Sequence, residues 1–188
     1  MSNYYWDERF MDIARTVALW SKDPSSKCGA TIIDGRRIVS TGYNGFAPGV
    51  VDSYERYIDR EYKYNNILHC EENAIILSRE CLHGYSIYLT GMTCSRCTPK
   101  IIAAGIKQVI IPCKEEDAFF YRGDWQTSFD HAKEQLTEVG INLLILEPTG
   151  FDPTKLMGPE HPYVKKQEEE FNRAKSECIK KAYLFNTD

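Results

Sequence analysis

Between residues 71 and 146 helical and extended patterns alternate in strict succession, and no other feature restricts the possible folds as much. Apolar residues at helical spacing run from Glu71 to Cys81, from Thr98 to Ala104 and from Ser128 to Val139. Short β-rich runs follow each of them: Ser86 to Thr90, Gln108 to Pro112 and Asn142 to Leu146. A strand–helix–strand–helix–strand succession predicts three parallel strands joined by right-handed helical crossovers.

Upstream, Phe10, Ile13, Ala14 and Val17 mark an amphipathic helix from Tyr5 to Trp20, stopped by Asp23-Pro24-Ser25-Ser26. Gly29 to Asp34 and Arg37 to Tyr43 flank the tight-turn pair Gly35-Arg36 and read as an antiparallel hairpin. The fold class expected is α/β, a three-layer α/β/α arrangement around a five-stranded mixed sheet, with the first hairpin antiparallel and the remaining strands parallel. After Gly45 a polar segment carrying Tyr54, Tyr57, Tyr62 and Tyr64 lacks alternation, and predicts an ordered excursion with a helical turn or more. Its tyrosines read as a packing or subunit surface in preference to a base-stacking platform. Two regions result: a domain over 1–147, and over 148–188 a Pro/Gly linker with a charged helical appendage. The appendage has an apolar stripe, Val164, Phe171, Ala174, Cys178, Ala182 and Phe185, suited to docking.

A chain of 188 residues can bury one sizeable core without disulfides. It has no apolar stretch of membrane-spanning length, and its first residues lack the basic and apolar regions of a secretory signal, which places it in the cytoplasm. Seven cysteines there are reduced thiols or metal ligands. A formal net charge of -4 opposes binding to long nucleic acid, although a local pocket can still hold the phosphate of a mononucleotide.

Cys94-Ser-Arg-Cys97 places two thiols where a turn entering a helix aims both at one point. A redox dithiol has the same spacing, but here a third donor, His69, precedes the pair. One histidine and two cysteines leave a tetrahedral position for water, whose pKa zinc lowers toward about 7. Glu71, two residues after His69, is the candidate proton shuttle. Were Cys70 a fourth ligand, the site would close and the chain would be a zinc-stabilised interaction module instead.

The chain resembles the deoxycytidylate deaminase family of the cytidine-deaminase-like superfamily from about Tyr5 to Leu146. The likeness rests on Asp23-Pro-Ser-Ser-Lys-Cys-Gly-Ala30, Ser40-Thr-Gly-Tyr-Asn-Gly45, His69-Cys-Glu-Glu-Asn-Ala-Ile75, Cys94-Ser-Arg-Cys97 and Ile101-Ile-Ala-Ala-Gly-Ile-Lys107. The resemblance implies one catalytic zinc on His69, Cys94 and Cys97, with Glu71 passing protons between water and a cytosine ring. It implies that Asn44 hydrogen-bonds the nucleotide, with Lys27 and Tyr121 near its phosphate. The implied reaction is hydrolysis of dCMP to dUMP and ammonia, which supplies dUMP for thymidylate synthesis. The implied assembly is a homohexamer with dCTP and dTTP as effectors, accompanied by magnesium and bound around Gly42, Tyr43, Gly45 and Gly49. Free cytidine and tRNA adenosine deaminases share the metal chemistry. The acidic charge opposes tRNA, and histidine as the first ligand differs from the cysteine typical of free-cytidine enzymes.

Three departures stand out: Thr93 replaces the family's proline before Cys94, and Pro48 lies one place later than usual. Residues 45–68 also lack the histidines and cysteines that bind a second, structural zinc in some members. Cys81 and His83 form a short C-x-H that could in principle bind metal, but a buried thiol beside a helix end is the reading preferred.

Overall fold

The structure, a computed structural model, describes residues 4–113, 125–146 and 173. Helix α1 (Tyr4–Ala18) precedes the hairpin of β1 (Gly29–Asp34) and β2 (Arg37–Tyr43), which turns at Gly35 with φ 59°. The register shifts at Ile32/Ile33, so that Ile32 faces Ser40, Ile33 faces Ile38, and Val39 is the extra residue of a β-bulge. After β3 (Gly45–Phe46) the excursion carries two short helices, α2 (Tyr54–Ile58) and α3 (Arg60–Asn66), and returns through β4 (Ile67–Leu68). Next come α4 (Cys70–Leu77), β5 (Ser86–Leu89), α5 (Thr98–Ala103), β6 (Gln108–Pro112), α6 (Gln126–Glu138) and β7 (Asn142–Leu146).

The five-stranded sheet has the order β2-β1-β5-β6-β7. β1 is antiparallel to both β2 and β5, while β5, β6 and β7 are mutually parallel, as the alternation implied. Period-two alternation splits the apolar strand residues between two faces. Ile32, Ile87, Leu89, Val109 and Ile111 pack with Ala74 of α4, Ile101 of α5 and Phe129 and Leu136 of α6. Ile33, Tyr88, Ile110 and Leu146 pack on the other side with Phe10, Met11 and Ala14 of α1. Burying each large side chain contributes about 1.5–3 kcal/mol, which makes these clusters the main stabilising term. The Tyr88 hydroxyl, donating to Asp7 at 2.6 Å, adds a polar tie between α1 and the sheet.

Two glycines let helices approach the sheet closely. A Cβ at Gly29 would overlap the Ala14 carbonyl and Ala18 amide of α1, and one at Gly42 would overlap the Cys70 carbonyl and Ala74 amide of α4. The Ser40 hydroxyl donates to the Ala74 carbonyl at 2.7 Å and reinforces the second contact.

The structure departs from the sequence expectation in three places among the described residues, the first being Cys81, expected as a buried thiol beside a helix end but exposed and four residues past α4. α4 ends at Leu77, not Cys81, because Ser78 takes an extended ψ of 135° and turns the chain toward β5. Ile76 and Leu77, which prolong the apolar pattern, stand 64% and 58% exposed. The excursion is also closed at its base by a ladder pairing Gly45 with Leu68 and Phe46 with Ile67, too short for any alternation to announce. Its tyrosines divide: Tyr57 and Tyr62 pack against Phe46, whereas Tyr64 meets Trp125 edge-on. Apart from Arg173, the C-terminal appendage lies outside the described residues, as does the whole of its stripe.

Candidate metal centre

β4 delivers the chain to His69, the extended residue (φ −75°, ψ 161°) that caps α4. Glu72 Oε2 accepts from the His69 amide at 2.8 Å, half of a capping box, so the helix begins where the imidazole is presented. Beyond β5, the Cys94 carbonyl accepts from the Cys97 and Thr98 amides at 3.0 Å each and from the Thr98 hydroxyl at 2.9 Å. These bonds wind residues 94–98 into a turn that directs both thiols toward His69.

His69 Nδ1 lies 3.5 Å from Cys94 Sγ and 3.3 Å from Cys97 Sγ. All three donor atoms fall within 4.8 Å of one another, the sole such trio of histidine, cysteine or carboxylate groups among the described residues. Tetrahedral zinc, with bonds of about 2.0–2.3 Å, requires donors roughly 3.5 Å apart, so the set fits this ion. The local chemistry favours it further. Hydrogen bonding from Cys97, with help from His69, brings the Cys94 thiol down to about 4 despite burial. Cys97 is pushed up by that same bond and by burial, and holds its proton until a metal displaces it. Burial pulls His69 down, but the Cys94 hydrogen bond and the Glu71 charge outweigh it and raise the imidazole above its ordinary value.

Cys70 stands apart from the trio. Its thiol donates to Glu71 Oε2 at 3.2 Å. It is pushed up, first by a hydrogen bond with Cys28 and then by burial, so it stays protonated. That leaves the metal trio open on one side.

Glu71, 5% exposed, lines the same cavity of about 1030 Å³ as His69 and Cys94. Asn44, buried, also lines it, from the end of β2. Its Nδ2 donates to the Ser26 carbonyl at 2.8 Å and to Asp23 Oδ2 at 3.4 Å, while its Oδ1 accepts from the Cys28 amide at 2.7 Å. Lys27 is not brought to the cavity wall; it is exposed and reaches the Leu19 carbonyl at 3.5 Å. Tyr121 lies outside the described residues. Gly42 is buried under α4, Tyr43 packs edge-on against Trp20, Gly45 begins the short ladder, and Gly49 turns the loop with φ 86°. Thr93 is fully buried, its hydroxyl without a partner, and does not line the cavity.

Several contributors escaped the sequence reading. Asp23 is a buried hub: Oδ1 accepts from the Ser25 and Ser26 amides, and Lys63 Nζ of α3 pairs with the carboxylate at 3.2 Å. Trp125 joins the cavity wall with its ring centroid 6.4 Å from that of His69. Glu72 stood in the quoted His69–Ile75 motif without a role, and the signal that could have singled it out is an acidic residue three places after a helix cap.

An α/β/α sandwich that gathers one imidazole and two thiols, and leaves the fourth position open beside a carboxylate, is the scaffold of a catalytic zinc protein. Residues 4–113 match the family model described as the cytidine and deoxycytidylate deaminase zinc-binding region, and the chain belongs to that family. It is 38% identical over 138 residues to the uncharacterized deaminase in the luxG 3′ region of Aliivibrio fischeri, covering 73% of this chain and 91% of that one. With the deoxycytidylate deaminase of Mus musculus it shares 40% identity over 114 residues, 56% of this chain and 63% of the mouse protein. It thus spans just under two thirds of the length of that relative. The dCMP deaminase of cyanophage S-TIM5, solved in complex with dCMP and dUMP, has the same fold, with a TM-score of 0.60 at 22% identity over 77% of this chain and 98% of that one.

Proposed function

We propose that this chain hydrolyses dCMP to dUMP and ammonia. The observation that carries the reading is the placement of His69, Cys94, Glu71 and Asn44 on one cavity, with Cys97 completing the donor trio behind its wall. Zinc held by the three donors supplies the Lewis-acid charge that makes water nucleophilic at neutral pH. Glu71 takes one proton from the attacking water as oxygen bonds to C4, and passes it to N3. It then carries the remaining hydroxyl proton to the exocyclic nitrogen, so that the C4–N bond breaks, ammonia leaves and the C4 carbonyl forms. Both Asn44 amide hydrogens are committed to Ser26 and Asp23, and one Oδ1 lone pair to Cys28. The second lone pair is what Asn44 offers a ligand, which suits a donor such as a sugar hydroxyl. In this reading Lys27 and Tyr121 act near the phosphate, Lys27 after swinging away from Leu19.

The test is ammonia release from cytidine, deoxycytidine and their mono-, di- and triphosphates, with dCMP expected to lead. A free nucleoside turning over faster than dCMP would instead favour a nucleoside deaminase. Glu71→Gln should keep zinc and fold but lose at least about 100-fold in turnover. Retention of more than about a tenth of the wild-type rate would remove Glu71 from the proton path.

We further infer a cytoplasmic homohexamer that supplies dUMP for thymidylate synthesis and responds to dCTP and dTTP with magnesium around Gly42, Tyr43, Gly45 and Gly49. Exposed Trp20, Tyr43, Val50 and Val51 on and beside that loop suit a subunit contact, and free thiols at the described cysteines suit a reducing compartment. Light scattering and saturation curves with each triphosphate test the assembly and its regulation. A monomer with hyperbolic curves unaltered by either nucleotide refutes both.

A further inference from the structure

Glu72 has a buried carboxylate, 4% exposed, that no step of the deamination uses, yet it meets both halves of the metal site. On one side, Oε2 accepts from the backbone amide of His69 at 2.8 Å. On the other, Arg96, between the two cysteine ligands, grips the carboxylate with both ends of its guanidinium, Nε to Oε1 at 3.2 Å and Nη2 to Oε2 at 3.0 Å. The same guanidinium donates to the Ile67 carbonyl at 2.9 Å and the Tyr64 carbonyl at 3.1 Å, in the strand and helix that lead into His69. Lys100 Nζ completes the cluster on Glu72 Oε1 at 2.8 Å, from the solvent side.

We propose that Glu72 is a positioning residue which, through Arg96, fixes the separation of the His69 imidazole from the Cys94 and Cys97 thiols and so presents zinc with a preformed site. The two arms of the site belong to different elements: His69 caps α4, whereas the cysteines lie on the turn into α5. A planar fork on a carboxylate fixes both distance and orientation, which a lysine's point charge does not. Breaking it leaves all three ligands present but makes zinc binding supply their ordering.

The test measures zinc affinity of the full chain by competition with a chromogenic chelator, beside the thermal midpoint of each metal-free protein. Glu72→Gln keeps an acceptor for the His69 amide and loses the ion pair; Arg96→Met loses the fork. Each is expected to weaken zinc about 10–100-fold, and the double variant no more than the worse single, because both break one link. Lys100→Met, which removes a single-point partner of the same carboxylate and leaves the Arg96 fork in place, is expected to stay within about twofold of wild type. Wild-type affinity in either Glu72→Gln or Arg96→Met, losses that multiply in the double, or an equal loss in Lys100→Met would overturn the proposal. If Glu72→Gln does not fold, Arg96→Met set against Lys100→Met decides by the same criterion. The proposal rests on the metal reading of the trio, and a wild-type chain that fails to bind zinc would remove both. Wild-type binding with unaffected variants removes this one alone.

Discussion

Replacing Gly42 by alanine adds one methyl group at the interface on which α4 rests. The new Cβ overlaps the Cys70 carbonyl oxygen and the Ala74 amide nitrogen, and comes to 3.0 Å from Ala74 Cα. All three are backbone atoms, so no rotamer change relieves the contact. Gly42 does not have a positive φ, and the effect is therefore steric and free of backbone strain. Restoring van der Waals separation requires α4 to retreat by about 1 Å. Overpacking of this kind costs about 1–3 kcal/mol, and loss of the Ser40 to Ala74 hydrogen bond about 1 kcal/mol more. For a chain of this size the sum lowers the melting temperature by about 4–16 °C. The retreating helix carries Glu71 and its cap His69, while Cys94 and Cys97 stay with α5, so turnover should fall about 100-fold. Gly35→Ala is the control: its φ is 59° and nothing lies within 4 Å of the added carbon, so it should cost about 1–2 kcal/mol of stability with kcat intact. Thermal melts and ammonia release measure the pair. Wild-type melting and turnover in Gly42→Ala would refute the argument that this glycine sets the height of α4.

Cys94→Ala and Cys97→Ala should abolish bound zinc and activity, while Cys70→Ala keeps the zinc; elemental analysis showing zinc loss in the Cys70 variant would support a closed site. Zinc uptake should release protons to a pH-dependent extent. At about pH 8 the ion displaces chiefly the Cys97 proton, and at about pH 6, below the raised His69 value, it displaces the imidazole proton as well. The slope of log Kd should steepen from about one to about two per pH unit on acidification, and affinity independent of pH would contradict the assignment. Without metal the sign reverses, since raised His69 stabilises the fold below its ordinary value and that contribution is lost as pH rises through the raised one. Lys63→Met strands the buried Asp23 charge, which should cost about 3–5 kcal/mol and about 6–20 °C in melting temperature; an unchanged melt would show that the pair adds nothing.

What could be read in the sequence and what could not divide by range along the chain. Ser86–Leu89 and Gln108–Pro112 were legible because parallel strands buried on both faces are continuous apolar runs, and Asn142–Leu146 because its run is equally apolar although Ile145 stands 56% exposed. The clustering of His69 with Cys94 and Cys97 was legible because His69 and the cysteine pair each open a helix, where local spacing alone aims side chains. The ties between distant segments were not. Asp23 meets Lys63 forty residues away, and Glu72 meets Arg96 twenty-four residues away, in pairs that only the folded sheet brings together. The end of α4 was misread for a similar reason: Ile76 and Leu77 keep helical spacing, but the chain must reverse toward β5.

The ladder of Gly45–Phe46 on Ile67–Leu68 brings the two ends of the excursion side by side, so that everything between them enters and leaves the domain through one doorway. Lengthening a loop whose ends are already pinned costs little, about 0.6 kcal/mol for each doubling. Growth of the excursion is therefore cheap in its exposed stretches, provided that Lys63 keeps Asp23 and the Tyr64 and Ile67 carbonyls keep Arg96, since those ties join it to the His69, Cys94 and Cys97 trio. An insertion between Gly49 and Ser53, outside those ties, is expected to leave the melting temperature within a few degrees of wild type.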